Sequence, residues 1–144
     1  MRALAAAAAA VLFTFCTSTS PRETPEEVVQ RFVGAFNRLS VEEMRPLFAV
    51  DATAFLPLPQ HAGRIDGRDA ILAILAPLFD ADRERRKGEP LRMEAKELAV
   101  TRTRDVAVAT FDVGTAEVRS RRTVVMERRG ERWAIVHLHA SNVR

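Results

Sequence analysis

Residues 118–143 have the sequence VRSRRTVVMERRGERWAIVHLHASNV, which carries the clearest signal for the fold. Apolar and polar residues alternate on either side of Gly130-Glu131, which is the pattern of two strands joined by a tight turn. Because short connections make neighbouring strands antiparallel, the stretch predicts a hairpin with strands at 118–127 and 133–143.

The same period of two extends upstream of this hairpin. It predicts further strands at 91–101 and 106–113, with turns at Arg104-Asp105 and Gly114-Thr115. The second half of the chain is therefore expected to form a four-stranded antiparallel meander.

The first half of the chain carries helical signals instead. Thr24-Pro25-Glu26-Glu27 has the form of a capping box, and an apolar stripe with helical spacing follows it as far as Leu39. Ser40-Val41-Glu42-Glu43 is a second capping box, which predicts a short helix to about Phe48.

A short edge strand and a third helix are expected next. Residues 52–58 are apolar and contain Pro57, which favours an edge strand or the end of one, followed over 60–65 by a loop or by a loop with a brief strand. A third helix is expected to begin around Gly67, with Pro77 kinking or interrupting it. Helices first and strands afterwards predict an α+β fold, with the helices on one face of the sheet.

The N-terminus has the pattern of an export signal. Met1-Arg2 precedes the unbroken apolar run Ala3–Phe15, which is shorter than the ~20 residues that span a bilayer. We therefore expect a signal peptide at 1–20, a single domain at 21–144, and export to the periplasm or the medium. Retention of this segment as an uncleaved anchor is the alternative, and Cys16 is a candidate for lipid attachment.

Composition excludes several classes of protein. The 144 residues carry a formal net charge of +3 and show no basic stripe interleaved with aromatic residues, so nucleic-acid binding is not expected. There is one cysteine and no tyrosine, which excludes an intrachain disulfide and any mechanism that needs a phenol. His137 and His139 share a strand face but lack a third ligand nearby, so neither a metal nor another cofactor is expected.

The last strand also bears on assembly. Its two faces are both apolar, with Trp133 and Ile135 on one and Val136 and Leu138 on the other. A sheet covered by helices on one face is expected to be polar on the other. The pattern favours a homo-oligomer, most simply a dimer, that associates through the sheet; a sheet that curls around its own core is the alternative.

Two motifs carry a family resemblance. Thr53-Ala54-Phe55-x-Pro57, followed by Gly67-Arg68-Asp69-Ala70-Ile71, resembles the SnoaL-like branch of the nuclear transport factor 2-like superfamily. The stretch from Arg128 to Ser141 resembles the closing hairpin of that branch, and is similar to the association domain of calcium/calmodulin-dependent protein kinase. The resemblance implies a cone-shaped fold, with three N-terminal helices on a strongly curved, mainly antiparallel sheet around an apolar cavity.

The association domain also implies which residues face this cavity. Its pocket arginines match Val124 and Ala140 here and, less closely, Asp112, which puts a preference for acidic ligands in doubt. The implied cavity-facing residues are Val108, Thr110, Asp112, Arg122, Val124, Met126, Val136, Leu138 and Ala140. Phe55, in the first motif, is a further expected ligand contact.

Three functions are compatible with this pattern. The leading expectation is an exported protein that binds a small apolar or amphipathic molecule. The first alternative is a cofactor-independent isomerase, cyclase or hydrolase in which Asp112 is the base, Arg122 its partner, and His61 a further catalytic candidate. The second alternative is a homo-oligomeric assembly domain. Asp112 and Arg122 are also compatible with a purely structural ion pair.

Overall fold

The computed structural model describes residues 23–114 and 119–143. The predicted signal peptide at 1–20, with Cys16, lies outside the described residues, so export and lipid attachment stay predictions. In the two described ranges, no helix is long and apolar enough to cross a membrane.

The first helix, α1, spans Pro25–Asn37. The amide of Glu27 donates to Thr24 Oγ1 at 3.2 Å, and the amide of Thr24 donates to Glu27 Oε2 at 2.7 Å. These reciprocal bonds confirm the predicted capping box, because each satisfies an amide that the first turn leaves without a partner.

The second helix, α2, spans only Val41–Met44 and continues as a 3-10 turn over Arg45–Leu47. The amide of Glu43 donates to Ser40 Oγ at 3.2 Å, but the Glu43 carboxylate pairs with Arg38 instead of returning to the Ser40 amide. The helical segment therefore ends at Leu47, next to the expected end near Phe48, but its last turn is 3-10 and not α-helical. Pro46 has no amide hydrogen to continue α-helical bonding, and Phe48 already belongs to the sheet.

The third helix, α3, spans Arg68–Arg85 and runs through Pro77. The expected interruption does not occur. Ile71, Leu72 and Leu75 are buried on one side of this helix. Burial of such a face contributes more than the one backbone hydrogen bond that a proline removes.

Within the described residues the sheet has six strands: β1 Phe48–Phe55, β2 Ile65–Asp66, β3 Lys96–Arg102, β4 Val106–Gly114, β5 Arg119–Arg129 and β6 Arg132–Val143. Their order across the sheet is β2-β1-β6-β5-β4-β3. Only β1 and β6 are parallel, and the other neighbours are antiparallel. The predicted α+β class and mainly antiparallel sheet are confirmed.

The position of β1 corrects one expectation. It is an interior strand, hydrogen-bonded to β2 on one side and to β6 on the other. Pro57 and Pro59 lie beyond its last residue, Phe55, so neither proline removes a donor from the ladder.

The segment before β3 corrects another expectation from the sequence. The predicted strand from Leu91 begins only at Lys96. The Asn37 side chain donates to the Met93 carbonyl at 2.8 Å and accepts from the Met93 amide at 2.9 Å, and the Leu91 amide donates to the Asn37 carbonyl at 2.9 Å. These bonds hold the segment against the end of α1. They use backbone amide and carbonyl groups that, in a β-strand, would be hydrogen-bonded to the neighbouring strand.

The two faces of the sheet differ in their surroundings. The helices cover the face that carries Ala107, Ala109, Phe111 and Val113 of β4, which we call the inner face. The opposite, outer face carries the alternate residues of the same strands.

Candidate functional site

An apolar cavity of about 120 Å³ lies between the helices and the inner face. Its walls come from α1, the loop after β1, α3, β5 and β6, namely Phe32, Phe36, Leu56, Pro57, Leu58, Leu75, Leu78, Arg122, Leu138 and Ala140. Among the described residues, Arg122 is the one charged residue in this lining. Apolar walls with few polar groups are typical of the cavities in which proteins bind small molecules.

Arg122 is held from one end of its guanidinium. Its Nη1 donates to Ser120 Oγ and, at 3.0 Å, to the Arg121 carbonyl. The Ser120 hydroxyl donates in turn towards β6, where the Ser141 carbonyl is 2.9 Å away and Asn142 Oδ1 is 3.0 Å away. Strand pairing between β5 and β6 therefore fixes the direction of the Arg122 side chain.

The surroundings of Arg122 are unusual for a cation. Burial lowers the pKa of its guanidinium from its ordinary value to about 10, because water is excluded from the charged form. Among the described residues, no carboxylate lies within 4.0 Å of it. A second, much smaller space of about 10 Å³ touches the same side chain and is lined also by Met93 and Val113.

Asp112 lies elsewhere. It is paired across the β4–β5 ladder with Arg121, whereas Arg122 is paired with Phe111, so Asp112 and Arg122 project to opposite faces of the sheet. Its carboxylate bonds Arg119 through Nε and Nη2, and Arg121 Nε is 3.9 Å away. The expected pairing of Asp112 with Arg122 is wrong, because the two residues are one position out of phase on adjacent strands.

Other predicted cavity residues are also on the outer face. Thr110 is exposed, and Val108 is 36% exposed. The buried residues of β4 are the alternate ones, including Ala107 and Ala109. The face implied for β4 by the kinase association domain is therefore wrong by one residue.

Predicted residues on β5 and β6 fall into two groups. Leu138 and Ala140 line the cavity, while Val124 and Met126 are fully buried in the core on the inner face, without reaching the cavity. Val136 is partly buried at a register shift between β5 and β6, and it does not line the cavity.

Phe55 and His61 do not line the cavity either. The Phe55 ring lies on the outer face, with its centroid 5.9 Å from those of His137 and His139. His61 closes a 3-10 turn, and its amide donates to the carbonyl of the cavity residue Leu58 at 2.8 Å. It is half-buried three positions beyond that lining residue.

Several residues that line the cavity were not predicted from the sequence. Phe36 and Leu78 belong to predicted helical stripes but stay only partly buried. Leu56 and Leu58 are apolar residues in a connecting segment, where a solvated loop would carry polar ones. The available signal was the alternation of these two leucines with Pro57 and Pro59. Apolar side chains in a connecting segment need another apolar surface to pack against, which would have predicted a wall of the cavity.

The two histidines of β6 share the outer face. Thr53 Oγ1 and His137 Nδ1 are 2.8 Å apart and hydrogen-bonded. Burial, and then the charges of His139 and Arg64, lower the pKa of His137 below its usual 6.5. Across residues 23–114 and 119–143, no three histidine, cysteine or acidic side chains are clustered closely enough to bind a metal ion.

The fold agrees with the comparisons to known proteins. The chain belongs to the SnoaL-like domain family, whose model matches residues 26–144. Among curated proteins, none matches the chain significantly.

Solved structures with this fold carry different names. A protein from Thiobacillus denitrificans, provisionally named a calcium/calmodulin-dependent protein kinase type II association domain, is 25% identical, with a TM-score of 0.70 over 84% of this chain and 96% of that one. A nuclear transport factor 2-like protein of unknown function from Pseudomonas putida is 21% identical, with a TM-score of 0.68 over 81% and 82%.

A third relative carries an enzyme name. It comes from Parabacteroides distasonis and is provisionally named a ketosteroid isomerase. It is 18% identical, with a TM-score of 0.64 over 88% of this chain and 93% of that one. At these identities the second and third relatives show the fold alone, and function rests on the site itself.

Proposed function

We propose that this protein binds a small apolar or amphipathic molecule in the cavity between the helices and the sheet. The observation that carries the proposal is the cavity lining, in which Arg122 is the one charged side chain of the described residues and the others are aliphatic or aromatic. Such a surface gains free energy when an apolar guest displaces water from it.

Binding accounts for this cavity better than turnover does. Among the described residues, the lining holds no carboxylate, imidazole, hydroxyl or thiol that could transfer a proton or attack a substrate. Asp112, the general base that the alternative requires, is on the outer face and bonded to Arg119. Arg122 can orient a guest or stabilise an anion, but it lacks a partner base in the lining.

Native mass spectrometry of gently purified protein, followed by filling of the cavity, tests this proposal. We expect a co-purified molecule, or uptake of small apolar probes, in the wild-type protein. Ala140→Phe is expected to abolish binding, because Ala140 lines the cavity. Ala70→Phe is the matched control, since Ala70 is exposed on α3. Equal binding by the two variants would exclude the cavity as the site.

Export is a second part of the proposal. It is supported by the short apolar run at 3–15 and the small polar residues that follow it. The subunit mass in the same spectrum tests it, since cleavage near residue 20 removes Cys16, whereas lipid attachment adds mass to a chain that begins at Cys16. A full-length, unmodified chain recovered from the cytoplasm of the native cell would contradict export.

Association of two copies through the outer face is the third part. The specific observation is a set of exposed apolar side chains on that face: Phe55 at 37%, Val106 at 39%, Val108 at 36% and Val143 at 37%. A face of this kind is stabilised when a second protein surface covers it. This assembly is compatible with ligand binding, since the cavity lies on the opposite side of the sheet.

A further inference from the structure

We infer that the natural guest of the cavity is an amphipathic carboxylate, held through its carboxyl group by Arg122. The inference rests on the proposed binding function and names the chemical class of the ligand. It follows from the charge, the hydrogen bonds and the volume of one site.

The charge of the cavity has no counterpart in its lining. Asp112, which was expected to neutralise Arg122, faces the other side of the sheet. Within the part of the chain that the structure describes, no other carboxylate pairs with Arg122, although thirteen ion pairs occur elsewhere. A guanidinium withdrawn from water without an anion is unfavourable for folding, and a guest that brings the anion relieves that cost.

The geometry of the guanidinium points the same way. Nη1 is occupied by Ser120 Oγ and the Arg121 carbonyl, whereas Nε and Nη2 have no hydrogen-bond partner among the described residues. Within those residues, no fully enclosed side-chain nitrogen lacks a partner, so these two nitrogens reach open space. The Nε–Nη2 edge presents two parallel donors, which match the two oxygens of a carboxylate.

The volume limits the rest of the ligand. A cavity of about 120 Å³ is slightly smaller than the roughly 150 Å³ cavity that accommodates benzene in another protein. The part of the apolar body that the cavity encloses is therefore a single ring or a short aliphatic chain. Sterols and long-chain fatty acids are too large to be enclosed without movement of the walls.

Matched pairs of acid and amide test the inference. We would titrate the wild-type protein with benzoate against benzamide, and with hexanoate against hexanamide, using calorimetry at pH 7.5. Each acid is expected to bind at least tenfold more tightly than its amide, because the amide lacks the charge. Acetate measures the contribution of the carboxyl group alone, and phenyl phosphate tests another anion. Phenyl phosphate that binds more tightly than benzoate would overturn the assignment to carboxylates.

Variants of Arg122 separate the charge from the cavity. Arg122→Met keeps a similar volume and is expected to remove the preference for acid while amide binding persists. Arg122→Lys keeps the charge without the planar fork and is expected to restore part of the preference. A preference that survives in Arg122→Met would overturn the inference.

Glu117 provides the remaining control. It lies five positions before Arg122, within residues 115–118 that connect β4 to β5, outside the described residues. Glu117→Gln is expected to leave the acid preference unchanged. If Glu117→Gln prefers acids and the wild-type protein does not, the Glu117 carboxylate satisfies Arg122 in the wild-type protein, and the inference fails.

Different results would overturn the carboxylate inference and the proposed binding function. Equal binding of acid and amide would overturn the carboxylate inference and leave the proposed binding function intact. If neither pair binds, and 1-hexanol and benzene do not bind either, both are overturned.

Discussion

Asp112 and Arg122 lie on adjacent strands of one hairpin but project from opposite faces of the sheet. In the β4–β5 ladder the partner of Asp112 is Arg121, and the partner of Arg122 is Phe111. The carboxylate is thereby bonded to Arg119 on the outer face, while the guanidinium of Arg122 remains in an apolar cavity. The consequences of this separation can be measured in both stability and binding.

Replacement of Arg122 by Met is expected to stabilise the protein at pH 7. The fall in the pKa of Arg122 from its ordinary value to about 10 corresponds to roughly 3 kcal/mol against folding, which is an upper limit because the variant also loses the hydrogen bonds to Ser120 and Arg121. We expect a gain of about 1–2 kcal/mol in the free energy of unfolding, measured with urea. Arg92→Met, at an exposed position, is the matched control.

The difference in stability between Arg122→Met and the wild-type protein is expected to depend on pH. Below pH 10 Arg122 is protonated in both the folded and the unfolded state, so the penalty is fully present. Above about pH 10 the folded chain releases this proton before the unfolded chain does, and the penalty declines. The stability advantage of Arg122→Met is therefore expected to narrow above pH 10. An advantage that is constant up to pH 10.5 and beyond would contradict the lowered pKa.

Asp112→Asn is expected to affect stability only slightly and ligand affinity not at all. The variant loses the charge opposite Arg119, but the Arg119 side chain is 53% exposed and stays solvated, so the cost is about 1 kcal/mol. Urea unfolding and titration with a cavity probe measure the two effects. A large loss of affinity in this variant would show that Asp112 belongs to the functional site. Loss of a catalytic activity, once one is found, would show the same.

His137 is expected to make the protein less stable as the pH falls below about 6.5. Its pKa is lowered in the folded state, so the unfolded chain binds the proton first and unfolding becomes more favourable until folded His137 is protonated as well. Urea unfolding between pH 7.5 and 5 should show a smaller slope for His137→Asn. Equal slopes would contradict this assignment.

A second measurement separates the causes of that shift. His139 contributes a like charge, second to burial in lowering the pKa of His137. His139→Gln is therefore expected to raise the pKa of His137 part of the way towards 6.5, as followed by NMR of its imidazole. No change would mean that burial, with the charge of Arg64, accounts for the whole shift.

A charge on the outer face is expected to dissociate the proposed dimer. Val108→Glu places a carboxylate on that face, and desolvating it at an interface costs more than a surface ion pair returns. Sedimentation should then show a monomer, while Ala70→Glu, on the exposed side of α3, keeps the wild-type size. A Val108→Glu protein with unchanged mass would exclude this face as the interface.

Loss of the Asn37 side chain is expected to destabilise the fold by about 1–3 kcal/mol, because the backbone groups of Met93 lose both of its hydrogen bonds. Chemical denaturation of Asn37→Ala measures this loss. Gln60→Ala, at an exposed position, should change stability by less than about 0.5 kcal/mol.

Local signals were sufficient for much of the fold. The capping box at Thr24 depends on residues three positions apart, so it could be predicted from the sequence and is present. The hairpin around Gly130 was predicted for the same reason, since alternation and a turn are also local. Resemblance supplied the architecture that these pieces assemble into.

The candidate site depended on features that are not local. On β4, the small residues Ala107 and Ala109 are buried and the bulkier Val106 and Val108 are exposed, so side-chain size did not indicate the inner face. At Val136, a register shift between β5 and β6 changes the alternation. The walls from α1, α3 and the loop after β1 meet only in three dimensions, and no spacing along the chain predicts their convergence.

The parallel pairing of β1 with β6 has a consequence for the order of folding. Thr53 and His137 are hydrogen-bonded neighbours although 84 positions separate them, and β6 lies between β1 and β5. During synthesis, β1 and the helices packed on it must wait for one of the last strands to emerge before the sheet can close. Contacts of such long range slow folding, so the nascent chain remains unfolded for longer. A chain that folds late stays compatible with threading through a narrow export channel.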